Sequence, residues 1–465
     1  MTRSRATSWL ARAARPIAAA LLVAGLASPA RAAGLTMEEA VGIALKRNRD
    51  VIAARLEIEV AQLDVVAARI YPNPILAYSV GNLVLGQGNG QDRMPPVAPG
   101  FFTQPVQSIG VSDIVDVWAK RSARAHAAER GVGLRHLLTE DVLREIVYAV
   151  RSAFAEVARE QSEHRLAVET ADRYEETVRL SQSRYRAGDI SQAELRKVEL
   201  EGLRYKNAVI DADLQLDLAR QNLAALLGFA SASELPTSTV ELALPRQTYD
   251  LEHLVALALE RRPDVRAAQA ARGVGEAQLA AAKREILPDI VLGATYTHSD
   301  FTVSGDNANA LGFSLSLPLP LFDRNQANVG RSNLEIRRAE NDLERLKVVV
   351  RHDVSNAVRK AARSRTLLEV FEGPAPGSDE RPGGAGGAAV SGAASALEKG
   401  GGMLDRAEIS LRVAERSYKT GAISLLELLE AQRTYLETRG QYLRAVHDYS
   451  QAAIDVNHAI GEQVK

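Results

Sequence analysis

The stretch RYRAGDIS, Arg184 to Ser191, returns later in the chain as SYKTGAIS, Ser417 to Ser424. Each copy places a glycine within a long run of helix-forming residues. Glycine readily adopts the left-handed conformation that ends a helix, so each octet can reverse one helix into its antiparallel return. We therefore predict two helical hairpins, with Gly188 and Gly421 at their tips.

The two octets belong to a duplication of the chain. They are offset by 233 positions (188 to 421), and LAALLG at 223–228 matches VNHAIG at 456–461 at the same offset. Near the start, LTMEEAVGIALKRNRDV pairs with YDLEHLVALALERRPDV at an offset of 214 (35 to 249). An internal repeat of this kind indicates two similar structural units. We divide the chain into a first repeat, a linker and a second repeat, at 33–232, 233–248 and 249–465.

The N-terminus has the pattern of a secretory signal peptide. Residues 1–32 contain five arginines and no acid, followed by an apolar stretch and the small-residue site Ala30-Arg31-Ala32. Without these five arginines the formal net charge of −1 becomes −6. An acidic chain argues against a nucleic-acid partner. The chain has no cysteine, so it gains no stability from disulfides.

Each repeat has the same predicted order of elements. One opening helix, at 38–68 or 251–286, stops before Pro72 or Pro288, and two strand-like segments follow. A very long helical run then begins, which in the first repeat spans about 120 to 188. At a rise of 1.5 Å per residue this run is roughly 100 Å long.

The strand-like segments alternate between apolar and small or polar residues. In ALGFSLSLPLPLF, at 310–322, one face carries Leu311, Phe313, Leu315, Leu317, Leu319 and Leu321. DIVLGATYTH at 289–298 follows the same pattern, whereas Asp113 interrupts it in SIGVSDIVDVW at 108–118. Such alternation is typical of membrane β-barrel strands, although a soluble sandwich hairpin would show it too. Four strands cannot close a barrel, and lipid does not tolerate an open edge, so a membrane role predicts an oligomer.

These residues resemble the TolC-type outer-membrane efflux factor family. The resemblance rests on YRAGDISQAEL at 185–195 and YKTGAISLLELLEAQ at 418–432, and extends over 34–461. It implies a mainly α fold with a membrane β-barrel, in which three chains share a 12-stranded barrel in the outer membrane and a helical barrel crosses the periplasm. It also implies that a periplasmic adaptor (membrane fusion protein) contacts the tips and that an inner-membrane RND pump supplies energy. The tip residues concerned are Tyr185, Arg186, Gly188, Lys419 and Gly421.

The resemblance also implies a closed periplasmic aperture just beyond the tips. Glu194 and Glu427 each follow a tip glycine by six positions, and Glu430 matches a second acid of the second hairpin. Tyr418 matches a tyrosine that bonds to the acid of the first hairpin, here Glu194. The sequence departs from the family at Ile423, where a basic residue is expected, so the salt bridge made there lacks its cation.

A finer resemblance concerns the branch that serves cobalt-zinc-cadmium and copper-silver exporters. It rests on DIVDVWAKRSARAHAAE at 113–129 and NPILAYSVG at 73–81. This implies a passive conduit for heavy-metal cations, with drug, solvent or type I secretion export as alternatives. A secreted coiled-coil structural protein is the alternative from a different class.

The remaining features favour no further chemistry. No catalytic constellation, cofactor motif or paired metal-ligand spacing is visible, so we expect no enzyme, cofactor or resident metal. The low-complexity run at 373–402 is predicted to be a flexible surface insertion, with a partner-binding segment as the alternative. Trp118 is predicted to anchor at the membrane interface, with Lys120 and Arg121 near the lipid head groups.

Overall fold

The computed structural model describes residues 35–81, 106–235, 249–299, 307–373 and 401–462. The predicted signal peptide, nearly all of the linker and most of the 373–402 insertion lie outside these residues. The described first repeat contains, in chain order, α1 (Met37–Arg47), α2 (Arg49–Arg69), β1 (Ile75–Gly81), β2 (Val106–Val115), α3 (Lys120–Ala187), α4 (Gln192–Leu226) and a short 3₁₀ helix (Ala232–Glu234). The described second repeat contains α5 (Leu251–Arg261), α6 (Pro263–Arg284), β3 (Ile290–Ser299), β4 (Asn309–Ser316), α7 (Gln326–Glu372), α8 (Met403–Lys419) and α9 (Leu425–Ala459).

The prediction of one uninterrupted opening helix in each repeat was wrong. The first is divided at Asn48 and the second at Arg262, where the backbone ψ angles are 132° and 125°. Asn48 caps α2, because its side-chain oxygen accepts hydrogen bonds from the backbone N–H groups of Asp50 and Val51. In the second repeat, Pro263 disfavours a helical conformation at the preceding residue. Both signals are local and visible in the sequence.

The four strands form one antiparallel sheet in the order β1-β2-β3-β4. Its register places apolar side chains from all four strands on one face, all of them exposed in the single chain: Leu76, Tyr78, Ile109, Val111, Leu292, Tyr296, Leu311, Phe313 and Leu315. The opposite face carries mainly small or polar residues, such as the row Ala77, Gly110, Thr295 and Gly312, with Ile75, Val106, Ile114 and Val291 near its ends. The predicted alternation is therefore confirmed, and Asp113 lies on the apolar face opposite Leu292.

The last strand is shorter than its alternating pattern suggests. We predicted alternation as far as Phe322, but β4 ends at Ser316. Pro318 and Pro320 follow, and proline cannot donate a backbone hydrogen bond to a neighbouring strand. Leu317, Leu319 and Leu321 are exposed beyond the sheet.

The predicted long helix is confirmed as α3, which has 68 residues and is about 100 Å long. α2 and α4 both pack along α3, and the end of α4 meets the start of α2 at Asn48. α6 and α9 pack along α7 in the same way. Among the described residues, no helix is long and apolar enough to cross a membrane.

In the second repeat the corresponding long helix is interrupted. α7 ends at Glu372 and α8 begins at Met403, yet the two helix ends touch. A Cβ atom added to Gly402 would meet the carbonyl oxygen of Phe371 and lie 2.5 Å from the backbone nitrogen of Gly373. Residues 374–400 are therefore inserted between two helix ends that lie side by side.

In the described part of the chain, the buried core has one cluster in each repeat, near the middle of the long helices. In the first repeat, Val147, Val150 and Phe154 of α3 pack with residues of α1 and α4. In the second, Val350 and Val354 of α7 pack with residues of α5, α6 and α9. These clusters hold the ends of the returning helices, α4 and α9, close to the breaks at Asn48 and Arg262. The sheet lies at one end of α3 and the hairpin tip at the other.

Candidate gate at the helix tips

The tips are the turns around Gly188, between α3 and α4, and Gly421, between α8 and α9. Both glycines have positive φ angles, 86° and 77°. The N–H of Asp189 donates to the carbonyl of Arg184 at 2.9 Å, and the N–H of Ala422 donates to that of Ser417 at 2.8 Å. The two octets thus fold into the same left-handed helix cap, as predicted.

A capping box starts each returning helix. The hydroxyl of Ser191 accepts a hydrogen bond from the N–H of Glu194 at 3.2 Å, and the carboxylate of Glu194 accepts one from the N–H of Ser191 at 2.8 Å. Ser424 and Glu427 make the same pair of bonds, both at 3.3 Å. Two of the four predicted aperture residues therefore also fix the geometry of the tips. The hydrogen bond from the Ser191 N–H holds the pKa of Glu194 below its usual value.

The side chain of Tyr418 lies between the hairpins. It is 3% exposed, and its hydroxyl has no hydrogen-bond partner among the described residues. The guanidinium of Arg184, on the first hairpin, lies 4.9 Å from the centre of its ring. The Tyr418–Glu194 hydrogen bond that the resemblance implies is therefore not made within this chain, and a cation–π contact joins the hairpins here instead.

The other predicted tip residues lie at the surface. Glu430 is exposed one turn beyond Glu427 on the same side of α9. The side chain of Tyr185 is 41% exposed. Arg186 and Lys419 are also exposed, on the first and the second tip respectively. Each tip therefore presents one basic side chain beside its glycine.

A small cavity of about 30 Å³ lies between the two hairpins, on the side of the tips that faces the sheet. Helices α3, α4, α8 and α9 all contribute to its wall, through Leu166, Glu169, Thr170, Arg173, Tyr174, Tyr205, Leu411, Glu415, Gln432, Tyr435 and Leu436. The rings of Tyr174 and Tyr205 lie in contact, with centres 4.8 Å apart. The sequence alone does not predict this cavity, because its lining comes from both repeats.

At the other end of α3, the helix start is tied to the sheet. The carboxylate of Asp116 accepts hydrogen bonds from the N–H groups of Lys120 and Arg121, and the indole N–H of Trp118 donates to the carbonyl of Pro288 at 3.0 Å. Lys120, which was predicted near the lipid head groups, begins α3 beside the sheet. Its side chain is buried and its ammonium lies 2.8 Å from the carboxylate of Asp289.

A network of charged side chains joins the two repeats near the middle of α3. Arg144 of α3 hydrogen-bonds with His458 of α9, and its guanidinium lies 2.8 Å from Asp141. On α6, burial raises the pKa of Asp264, but the hydrogen bond and charge of Arg262 outweigh this, so the net pKa lies below its usual value. The charged side chains of this network pair with one another. In the described part of the chain, no group of acidic or histidine side chains is arranged to hold a metal ion.

A sheet with an apolar outer face, joined to two long helical hairpins, defines a subunit of an outer-membrane channel with a helical periplasmic part. The chain belongs to the outer membrane efflux protein family, whose model matches residues 40–229 and 254–373. It is accordingly a transport conduit, not an enzyme, located in the outer membrane and extending into the periplasm.

Relatives and solved structures match this chain over nearly its whole length. The cobalt-zinc-cadmium resistance protein CzcC of Cupriavidus metallidurans is 25% identical, over 93% of this chain and 92% of that protein. The pyoverdine export outer membrane protein OpmQ of Pseudomonas putida is 21% identical, over 91% and 85%. A crystal structure of CusC, described as forming a transmembrane channel, has a TM-score of 0.68 at 18% identity and covers 92% of both chains. These matches confirm the resemblance to TolC-type channels.

Proposed function

We propose that three copies of this chain form the outer-membrane duct of a tripartite efflux system that exports heavy-metal cations. The observation that carries the proposal is the exposed apolar face of a four-stranded sheet with two unpaired edges, β1 and β4. In lipid these edges must be paired, and three such sheets would give a closed barrel of 12 strands. The helical hairpins of the three chains would surround a water-filled tunnel across the periplasm.

The tips are the surface where a periplasmic adaptor would bind. They lie about 100 Å from the sheet, at the far end of α3, and carry the exposed residues Tyr185, Arg186 and Lys419. Gly188 and Gly421 keep the two turns narrow, so that both tips have the same backbone shape. An inner-membrane RND pump would supply the energy, because a passive duct has no energy source of its own.

The gate would lie just inside the tips. Glu194, Glu427 and Glu430 are exposed near the start of the returning helices, and threefold repetition would arrange them as rings of carboxylates. Such rings attract cations and repel anions at a narrow point. Tyr418 would act at the same level by holding the second hairpin against Arg184 of the first. Opening would then require the two hairpins to part.

Heavy-metal cations are the preferred substrate class, because a relative matched over nearly the full length is a cobalt-zinc-cadmium resistance protein. Pyoverdine export by another relative supports a small organic molecule as the second candidate. A strain that lacks this chain should become sensitive to zinc, cobalt or cadmium and regain resistance when the gene is restored. Unchanged metal tolerance combined with loss of organic-compound export would support the second candidate.

A further inference from the structure

Helix α2 carries an apolar stripe on the side that faces away from α3. Leu56, Val60, Leu63 and Val66 recur at intervals of three or four residues, so they share one side of the helix, and all four are exposed. The opposite side, which includes the buried Ala61, packs along α3. Two apolar sides on one helix are typical of a helix that packs between two neighbours.

The second repeat shows which kind of neighbour covers this side. α6, the equivalent of α2, packs between α7 of its own repeat and α3 of the other repeat. The guanidinium of Arg266 on α6 lies 3.1 Å from the carboxylate of Glu140 on α3, and Ala277, three turns further along the same side, is only 7% exposed. The offset of 214 between the opening helices makes Leu63 the equivalent of Ala277, yet Leu63 is 66% exposed. The side that α6 buries is therefore open on α2.

We propose that the apolar stripe of α2 packs against α7 of a second copy of this chain, in the way that α6 packs against α3. The proposal rests on the assembly of three copies proposed above, and adds the helices and residues that meet. The described helices lie side by side in the order α2-α3-α6-α7, just as the strands lie in the order β1-β2-β3-β4. Since α2 leads into β1 and α7 follows β4, pairing of the sheet edges of two copies brings these two end helices together.

The register of this contact follows from the one inside the chain. α6 and α3 run in opposite directions, with the carboxylate of Glu285 3.5 Å from the ammonium of Lys120, so Ala277 and residue 128, each eight residues away, lie at one level. The residues just before α3 and α7 both have a φ of 54°, which sets the offset between these helices at 206 (119 to 325). Position 128 then corresponds to Leu334 of α7, which is 65% exposed. The register thus places Leu63 of one copy against Leu334 of the next.

Charged side chains agree with this register. One turn from Leu63 it places Glu59 of α2 at the level of Arg338 of α7, and one turn further it places Arg55 at the level of Asp342. Arg338 and Asp342 lie 3.8 Å apart within the chain, and their side chains are exposed on α7. Opposite charges would therefore meet at both levels, which favours this register over one shifted by a turn.

Disulfide cross-linking of the detergent-purified mature protein tests the contact, because the chain has no cysteine of its own. Two double variants place cysteines at matched levels: Leu63→Cys with Leu334→Cys, and Leu56→Cys with Asn341→Cys. Oxidation should produce covalent species of two and three chains on a denaturing gel, since contact between unlike helices of successive copies closes into a ring.

Exchanging the partners gives the matched controls. Leu63→Cys with Asn341→Cys, and Leu56→Cys with Leu334→Cys, use the same four positions but shift the levels by seven residues, about 10 Å along the helices. These variants should remain largely single chains. Equal cross-linking of matched and exchanged pairs would overturn the proposal. So would a disulfide formed only within one chain, or a covalent dimer from Leu63→Cys alone, which would mean that α2 packs on α2.

The oligomer mass and conductance of the unmodified protein separate this contact from the duct itself. A conducting trimer whose matched pairs do not cross-link would refute the contact between α2 and α7 and keep the duct. Matched cross-links in a protein that does not conduct would refute the duct and keep the contact.

Discussion

Asn48 and Arg262 occupy equivalent positions in the two repeats and fasten equivalent helix ends. The side-chain N–H of Asn48 donates to the carbonyl of Leu226 at 2.9 Å, and the guanidinium of Arg262 donates to the carbonyl of Ala459 at 3.4 Å. Each bond ties the break in an opening helix to the end of the helix that returns from a tip. The two repeats therefore make the same contact between a helix break and a helix end, but with different side chains.

Asn48→Ala should destabilise the chain by about 2 kcal/mol, roughly half from the lost helix cap and half from the lost bond to Leu226. Asn48→Asp is the matched control, because aspartate still caps α2 but cannot donate to the Leu226 carbonyl. Its loss should be at least half as large, because the carboxylate also faces the Leu226 carbonyl at a buried position. Denaturant unfolding of the detergent-purified protein measures both, and an Asn48→Asp variant that is as stable as the unmodified protein would show that the bond to Leu226 contributes nothing.

Glu427→Gln combined with Glu430→Gln should reduce the cation selectivity of the resting pore by at least about twofold, because the change removes two rings of charge from the trimer. Glutamine can still complete the capping box with Ser424, so the tip should keep its shape. Reversal potentials in a salt gradient measure the selectivity. Unchanged potentials would remove both residues from the gate.

Tyr418→Phe should leave the resting conductance unchanged, because the hydroxyl of Tyr418 has no partner among the described residues and the ring contact with Arg184 is retained. Arg184→Gln removes the cation–π contact and should therefore raise the resting conductance. Single-channel recording of both variants makes the comparison. A large increase in Tyr418→Phe would show that the hydroxyl holds the gate shut through a bond absent from the single chain.

Removal of residues 374–400 should leave assembly and conductance unchanged, because Gly373 and Gly402 are already adjacent at the ends of α7 and α8. A variant with a Gly-Ser segment of equal length in place of 374–400 separates the effect of length from that of sequence. Oligomer mass and conductance are measured for both. If only the deletion fails, the length of the insertion is needed at the junction. If both fail, its sequence has a role.

Local signals in the sequence predicted much of the fold. Gly188 and Gly421 identified both tips, because a helix that reverses needs a left-handed residue there. The capping boxes are equally visible in the sequence as Ser-x-x-Glu, at Ser191 and Ser424, although the resemblance by itself assigns these glutamates only to the aperture. They perform the capping in this chain, and their role at an aperture stays a prediction.

Partners that are distant in the chain could not be predicted. Lys120 is buried against Asp289, which lies in the other repeat, and its charge alone suggested a position near lipid head groups. The cavity between Tyr174 and Gln432 depends on how two hairpins pack, and helical periodicity does not specify that packing. Sequence patterns therefore indicated the elements and their ends, whereas contacts between repeats required the folded chain.

Planar-bilayer conductance of the detergent-purified protein, with the oligomer mass determined on the same sample, tests the central claim most directly. The duct predicts a trimer that inserts into the bilayer and gives small, cation-selective currents in the absence of an adaptor. A water-soluble species of any mass that gives no conductance would contradict it and favour a secreted coiled-coil protein.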